Sequence, residues 1–143
     1  MRIAIVCDHA GLPLKRALLP SLEARATQVR DVGTHDEASC DYPDYAHELA
    51  RLVANGEVDL GVLICGSGVG MSIAANRHAG VRAVVCSEPY SAAMARKHND
   101  ANVLCMGARV VGPGLAEGIL EAFLSASFEG GRHARRIGKI ENG

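Results

Sequence analysis

Five short, mainly apolar runs recur along the chain, separated by longer stretches of mixed polarity. Runs without regular polar alternation are typical of strands that are buried on both faces of a parallel sheet. They lie at residues 2–7, 28–32, 60–64, 81–86 and 102–106. The stretches between them predict helices, several of which begin near a proline, a residue that suits the first helical turn. Strands alternating with helices predict an α/β fold, a three-layer α/β/α sandwich with a mostly parallel sheet.

The chain changes character between Asp59 and Asn76. The apolar run of the third strand ends at Cys65, and Gly66-Ser67-Gly68-Val69-Gly70 and a helix-compatible segment follow. A strand, a glycine-rich loop and a helix form a geometry in which backbone N–H groups converge on an anion. The stretch therefore predicts a binding loop with one reactive side chain, the Cys65 thiol, at its mouth.

Polar residues also follow other predicted strands. Asp8-His9 follows the first strand, Ser87-Glu88 the fourth and Arg109 the fifth. Ligands of parallel α/β sheets bind beyond the carboxyl ends of the strands, so these residues are expected to gather at one edge of the sheet. Their positions predict a functional site around the glycine loop.

Length, composition and charge limit the classes of function. Residues 1–143 are predicted to form a single domain with a glycine-rich, basic tail at 129–143. A net charge of −1 and the absence of tryptophan argue against nucleic acid as a partner. No apolar run is long enough for a membrane span, and no signal peptide is visible. The five cysteines, without a C-x-x-C pair, indicate a reducing cytoplasm.

Several interpretations of the glycine loop fail on spacing. A dinucleotide fingerprint would need glycine at Met71 or Ile73, and the loop follows the third strand rather than the first. No Lys-Ser/Thr pair follows the glycines, as a P-loop would require. A cysteine phosphatase would need an arginine where Met71 stands. The six histidines are scattered, which disfavours a catalytic metal.

Proton transfer is the chemistry that remains. The dipole and the N–H donors of a helix N-terminus favour the thiolate form of a nearby thiol. Such a thiolate could remove a proton from a carbon next to a carbonyl, while the glycine N–H groups stabilise the enediolate oxygen. Cys65 is therefore the candidate general base.

Two further segments carry candidate residues. His98-Asn99-Asp100 falls at the end of the helix after the fourth strand, where it is either a helix cap or part of a site. In the tail, Arg132 and Arg136 are four residues apart, so a helix would place both guanidinium groups on one face. That arrangement fits a phosphate clamp, and the plain alternative is a solvated basic tail.

A set of motifs spans nearly the whole chain. They are Cys7-Asp8-His9-Ala10-Gly11, Asp41-Tyr42-Pro43, Cys65-Gly66-Ser67-Gly68-Val69-Gly70, Ser72-Ile73-Ala74-Ala75-Asn76, Glu88-Pro89-Tyr90, His98-Asn99-Asp100 and Gly130-Gly131-Arg132-His133. In this order they resemble the type B ribose-5-phosphate isomerases, which belong with the allose- and galactose-6-phosphate isomerases. Each motif alone is weak, but the set is specific.

The resemblance implies roles in catalysis. Cys65 would carry the proton between C1 and C2 of the sugar, and Ser67 would assist. The backbone amides that would stabilise the enediolate run through the loop and include those of Gly66, Gly68, Val69 and Gly70. His98 and Asp8 would help to open the furanose ring.

The resemblance also implies how the substrate is held and how the protein is assembled. Tyr42 and Asn99 would contact the sugar. The residues that would hold the phosphate are His9, Arg109, Arg132 and Arg136. The family has a five-stranded parallel sheet with Rossmann-like layering and uses no metal or other cofactor. Its members are homodimers or tetramers with shared sites, so His98 would serve the partner's Cys65.

Two positions refine the resemblance. Ser67 stands where the family commonly has threonine, and the hydroxyl is retained. One branch replaces the thiol by a glutamate at the position of Val69, so this chain belongs with the thiol branch. The implied reaction interconverts ribose 5-phosphate and ribulose 5-phosphate. Allose 6-phosphate, galactose 6-phosphate or a tetrose phosphate are alternative substrates, and a non-catalytic nucleotide-binding module is a more distant alternative.

Overall fold

The computed structural model describes residues 1–143 and contains five strands and six α-helices. The strands are β1 (Arg2–Cys7), β2 (Gln28–Gly33), β3 (Leu60–Cys65), β4 (Ala83–Val85) and β5 (Val103–Gly107). The helices are α1 (Leu12–Arg25), α2 (Tyr42–Ala54), α3 (Val69–Ala75), α4 (Pro89–Asn99), α5 (Pro113–Ser125) and α6 (Arg132–Glu141). None of the helices combines the length and the apolar character needed to cross a membrane.

The five strands form one parallel sheet in the order β2-β1-β3-β5-β4. Alternate residues of β1 face opposite sides of the sheet, so Ile3 and Ile5 enter one core and Ala4 and Val6 the other. Helices α1, α4 and α5 cover the first core, and α2 and α3 cover the second. The predicted three-layer α/β/α sandwich with a five-stranded parallel sheet is confirmed.

The strand β4 is shorter than the sequence predicts. Residues 81–86 were expected to form it, but only Ala83–Val85 pair with β5. Because β4 is an edge strand with a single neighbour, the apolar residues Val81 and Cys86 stay buried outside the ladder. The apolar character of residues 81–86 indicates burial, but only three of these six residues belong to the strand.

The order of the strands places the functional site. Strand β2 pairs with β1 on one side, and the next strand, β3, pairs with β1 on its other side. The order of the strands therefore reverses at β1. Open α/β sheets bind ligands beyond the carboxyl ends of the strands at such a switch point. Here the N–H of Asp8 donates to the carbonyl of Ile64 at 3.1 Å, which sets Asp8 beside Cys65.

Backbone lies directly on backbone beneath the glycine loop. Gly107, at the end of β5, is the sheet partner of Cys65. A Cβ atom at Gly107 would lie 2.7–2.8 Å from the backbone of Ser67. The loop can therefore rest on the end of β5 only because residue 107 has no side chain.

We predict that Gly107→Ala destabilises the protein by about 1–3 kcal/mol, because the loop must shift to admit the methyl group. Gly114→Ala is the matched control, since a Cβ there meets no atom within 4 Å, and it should leave stability unchanged or slightly raised. Urea denaturation of both variants measures the difference. Equal stability of the two variants would contradict the close approach.

Candidate active site

A pocket of about 660 Å³ lies beyond the carboxyl ends of β1, β3 and β5. Its lining comprises Asp8, Tyr42, Cys65, Gly66, Ser67, Val69, Gly70, Ile73, Arg109 and Val110. Apart from Ile73 and Val110, every one of these residues was predicted to belong to the site. The structure thus brings together residues from four segments of the sequence that lie far apart.

The Cys65 thiol is held at the floor of this pocket. The residue is 4% exposed, and its Sγ accepts a hydrogen bond of 3.1 Å from the N–H of Gly68. Gly68 has φ +79°, a left-handed conformation that favours glycine, and it directly precedes α3. An N–H donor of this kind stabilises the thiolate more than the thiol.

The other four cysteines differ from Cys65 in their surroundings. Burial raises the pKa of the Cys7 thiol and of the Cys86 thiol to about 11 each. Burial also raises the pKa of Cys105 well above its usual range. Cys40 is half-buried and lies outside the pocket, with its Sγ 3.8 Å from Nδ1 of His9. Cys65 alone among the cysteines lines the pocket.

The loop amides divide into engaged and free donors. The N–H of Gly68 donates to Cys65, and the N–H of Val69 donates to Oγ of Ser67 at 3.3 Å. The N–H groups of Gly66, Ser67 and Gly70 have no acceptor within the chain. Three free backbone donors beside a thiol can stabilise an oxyanion formed next to it.

The absence of a side chain at Gly70 lets the Tyr42 ring lie against the loop, and Arg109 lies near Gly66. A Cβ on Gly70 would lie 2.5 Å from the ring of Tyr42, the first residue of α2. At Gly66 a Cβ would lie 3.7 Å from the Arg109 side chain. The N–H of Arg109 donates to the Gly66 carbonyl at 3.1 Å, which fixes this guanidinium-bearing residue against the loop.

Asp8 lines the pocket on the β1 side, and the next residue, His9, is not part of the lining. Asp8 is buried, and its Oδ1 accepts from the N–H of Gly11 at 3.0 Å. Nδ1 of His9 lies 3.3 Å from the N–H of Cys40 and accepts from it. The remaining ring nitrogen, Nε2, therefore carries the proton of a neutral His9 and is a donor.

Glu88 does not join the pocket, although it follows a strand. Its carboxylate accepts from the N–H of Ser91 at 2.9 Å and caps the N-terminus of α4. The strand before it, β4, is the edge strand beyond β5 and is separated from β3 by β5. Glu88 therefore follows the carboxyl end of a parallel strand, as expected, but lies outside the pocket.

Six predicted site residues do not line the Cys65 pocket of their own chain. His9 and Gly68 adjoin lining residues in the sequence, whereas four lie away from the pocket: His98, Asn99, Arg132 and Arg136. Helix α4 returns to the amino ends of the strands, where the N–H of Gly61 donates to the carbonyl of Asn102. His98 and Asn99 end this helix and so lie at the opposite edge of the sheet from Cys65. Arg132 and Arg136 are exposed on α6.

The predicted tail is mostly helical, and it brings a histidine to His98. The His133 ring is buried and stacks on the His98 ring, with centroids 4.3 Å apart and planes inclined by 6°. Glu129 lies beside both rings. Burial, with smaller contributions from nearby positive groups led by His98, lowers the pKa of His133.

The fold brings together a second pair of histidines, His47 and His78, that are far apart in the sequence. Nδ1 of His47 lies 2.8 Å from Nε2 of His78. Burial and the neighbouring His47 lower the pKa of His78. The histidines are scattered in sequence, but α2 and α3, which pack on the same face of the sheet, bring these two together. The only sequence signal for the His98–His133 pair was the Gly130-Gly131 turn before α6.

Comparison with known proteins identifies the family. A profile of the Ribose/Galactose Isomerase family matches residues 3–140. The chain belongs to this family. Ribose-5-phosphate isomerase B of Escherichia coli strain K12 is 55% identical over 139 residues, which is 97% of this chain and 93% of that protein.

Solved structures of family members share the whole fold. Ribose-5-phosphate isomerase B of Clostridium thermocellum superposes with a TM-score of 0.97 at 51% identity, covering 99% of this chain and 96% of that one. The enzyme of Mycoplasma genitalium, solved with bound ribulose-5-phosphate, gives 0.93 at 45% identity and covers 99% and 94%. The predicted resemblance to this family is confirmed.

We predict that a thiol-alkylating reagent at pH 8 modifies Cys65, which lines the pocket, and Cys40, but leaves Cys7, Cys86 and Cys105 unmodified. A thiol with a pKa of about 11, such as Cys7, is only roughly one part in a thousand ionised at that pH. Peptide mass spectrometry reports each site, and a sugar phosphate should protect Cys65 but not Cys40. Alkylation of Cys7 or Cys86 before Cys65 would contradict this assignment.

Proposed function

We propose that this protein interconverts ribose 5-phosphate and ribulose 5-phosphate, with Cys65 as the base that carries the proton. Membership in the isomerase family and the identity to ribose-5-phosphate isomerase B of E. coli support the reaction. The ribulose-5-phosphate bound to the M. genitalium enzyme favours this pentose over a hexose phosphate. The observation that carries the mechanism is the Cys65 thiol in the pocket floor beside free backbone N–H groups.

The proposed proton transfer begins with the open-chain aldose. The Cys65 thiolate removes the proton from C2, and the electron pair passes to the carbonyl oxygen on C1, which gives a cis-enediolate. The free N–H groups of Gly66, Ser67 and Gly70 then stabilise the oxyanion. The thiol returns the proton to C1, and the C2 oxygen becomes the carbonyl of the ketose. The Ser67 hydroxyl lies at the mouth of the loop, where it assists proton movement between the two oxygens.

The N–H groups of Gly68 and Val69 contact the thiol and the Ser67 hydroxyl rather than the substrate. The N–H of Gly68 donates to the sulfur, and the N–H of Val69 donates to the Ser67 hydroxyl and orients it. These two residues thus position the base and the hydroxyl, while their neighbours bind the substrate oxygen. A general base placed in this way typically contributes about 10²–10⁴ in rate.

Substrate binding is proposed to use residues from both edges of the sheet. Asp8 and Tyr42 line the pocket, and Arg109 lies at its rim. His98 would open the furanose ring with Asp8, and Asn99 would contact the sugar. The phosphate would be held by His9, Arg109, Arg132 and Arg136.

A homodimer with shared active sites reconciles these roles with the geometry. His98 and Asn99 lie at the edge of the sheet opposite Cys65 of the same chain. They can serve a Cys65 pocket only if that pocket belongs to a partner subunit. We propose that the enzyme works in the cytoplasm as such a homodimer, or as a tetramer of the same contacts, and without a metal cofactor. Allose 6-phosphate, galactose 6-phosphate and a tetrose phosphate are the alternative substrates.

The first test concerns the base. Cys65→Ala should abolish turnover and the exchange of the C2 proton with solvent, while the affinity for sugar phosphate stays within a few-fold of normal. Cys40→Ala is the matched thiol control and should retain activity, because the backbone N–H that donates to His9 remains and only the 3.8 Å contact of the sulfur is lost. Proton exchange is followed by NMR in deuterated water. Normal turnover of Cys65→Ala would rule out the proposed base.

The second test concerns the shared site. Cys65→Ala and His98→Ala homodimers should each be inactive when assayed alone. After unfolding and refolding together in equal amounts, half of the dimers are mixed, and each has one intact site. About a quarter of the wild-type activity should therefore return. If subunits exchange and no activity returns, the site is contained in one chain.

A further inference from the structure

Three metal-ligating side chains meet at the edge of the sheet opposite Cys65. Nε2 of His98 and Nε2 of His133 each lie 3.8 Å from Oε2 of Glu129. The two imidazole rings are stacked and almost parallel. One nitrogen from each ring and one carboxylate oxygen all lie within 4.8 Å of one another.

The backbone holds this cluster in place. The N–H of Glu129 donates to the carbonyl of Lys97 at 3.0 Å, which fixes Glu129 next to His98. Gly130 and Gly131 then turn the chain with φ +67° and +58°. The turn starts α6, so its first turn carries His133 back over the His98 ring.

The far end of α6 is anchored as well. Glu141 accepts from Arg82 at 2.9 Å. Arg82 also donates to the carbonyls of Asn99 and Asp100, which immediately follow His98. The helix that carries His133 is therefore bound at both ends to the segment that carries His98, so the cluster exists before any ligand arrives.

We propose that His98, Glu129 and His133 bind a divalent transition-metal ion such as Zn²⁺, and that the bound ion inhibits the enzyme. Zinc takes imidazole nitrogen at about 2.0–2.1 Å and carboxylate oxygen at about 2.0–2.2 Å, usually in a tetrahedron. Such bond lengths place ligand atoms about 3–4 Å apart, so the cluster closes around an ion when the two imidazole rings turn out of their parallel stack toward Glu129. Water completes the fourth position.

The donor set and the surrounding charge define which ions bind and how firmly. Two imidazoles favour Zn²⁺, Co²⁺, Ni²⁺ and Cu²⁺ over Mg²⁺ and Ca²⁺, which prefer oxygen ligands. Arg132 and Arg136 flank His133 on α6 and oppose a cation. The site therefore suits reversible binding rather than a permanently bound structural ion.

The inhibition follows from the proposed function. The His98 nitrogen that binds the ion is no longer available to open the furanose ring. Metal binding should therefore slow isomerisation and be reversed by a chelator, although the reaction itself needs no metal. Since this consequence rests on the proposed role of His98, binding and inhibition are measured separately.

Binding is tested by titrating the metal-free protein with Zn²⁺ in a calorimeter. Loss of a ligand should cost at least the roughly tenfold typical of outer-shell partners, so Glu129→Gln and His133→Ala should both weaken binding by that factor. Glu129→Gln keeps the size of a half-exposed side chain, so it still tests the site if His133→Ala misfolds. His47→Ala, which breaks the other histidine pair, is the control and should bind Zn²⁺ normally.

Co²⁺ distinguishes the cluster from the active-site thiol. Bound at this cluster, Co²⁺ should show visible d–d bands without the near-ultraviolet band of a cobalt–thiolate bond, and Cys65→Ser should bind it equally well. A thiolate band overturns the proposed site. So does a metal affinity that is lost in Cys65→Ser or in His47→Ala but kept in Glu129→Gln. Binding without inhibition would uphold the site and reject its link to ring opening.

Discussion

The contact between the glycine loop and the end of β5 is the constraint on which the candidate site depends. Gly107 lies under Ser67 with no room for a side chain, and the carbonyls of Cys65 and Gly66 accept from the N–H groups of Ala108 and Arg109. A loop pinned in this way can keep its free N–H groups in place without a bound ligand. Preorganised donors need no reorganisation during the reaction, which is the main source of their catalytic value.

The same constraint gives Cys65 a different character from the other cysteines. Cys7 and Cys105 end or occupy strands like Cys65, yet both are surrounded by core and kept protonated by burial. Cys65 occurs where β3 ends and the glycines begin, so backbone N–H groups replace apolar side chains on one side of the sulfur. Position relative to the glycines, rather than residue type, sets this thiol apart from the other cysteines.

The sequence predicted the layers of the fold and most of the pocket because both depend on local patterns. Apolar runs mark buried strands, and the ends of neighbouring parallel strands must meet, so Asp8, Cys65 and Arg109 could be placed together. Strand order decided which residue stayed outside the pocket: Glu88 follows the edge strand and caps α4 instead. The His98–Glu129–His133 cluster was missed because it depends on how α6 turns back after Gly131. No local pattern encodes that direction.

The position of α6 in the chain also bears on how the protein is made. All five strands are complete at Gly107, and α6 comes last and touches mainly α4. The sheet and the Cys65 pocket can therefore form during synthesis, while the segment with Arg132, His133 and Arg136 is still in the ribosome. A nascent chain at that stage holds the Cys65 thiol and the free N–H groups of the glycine loop, and the cationic groups of α6 join it later.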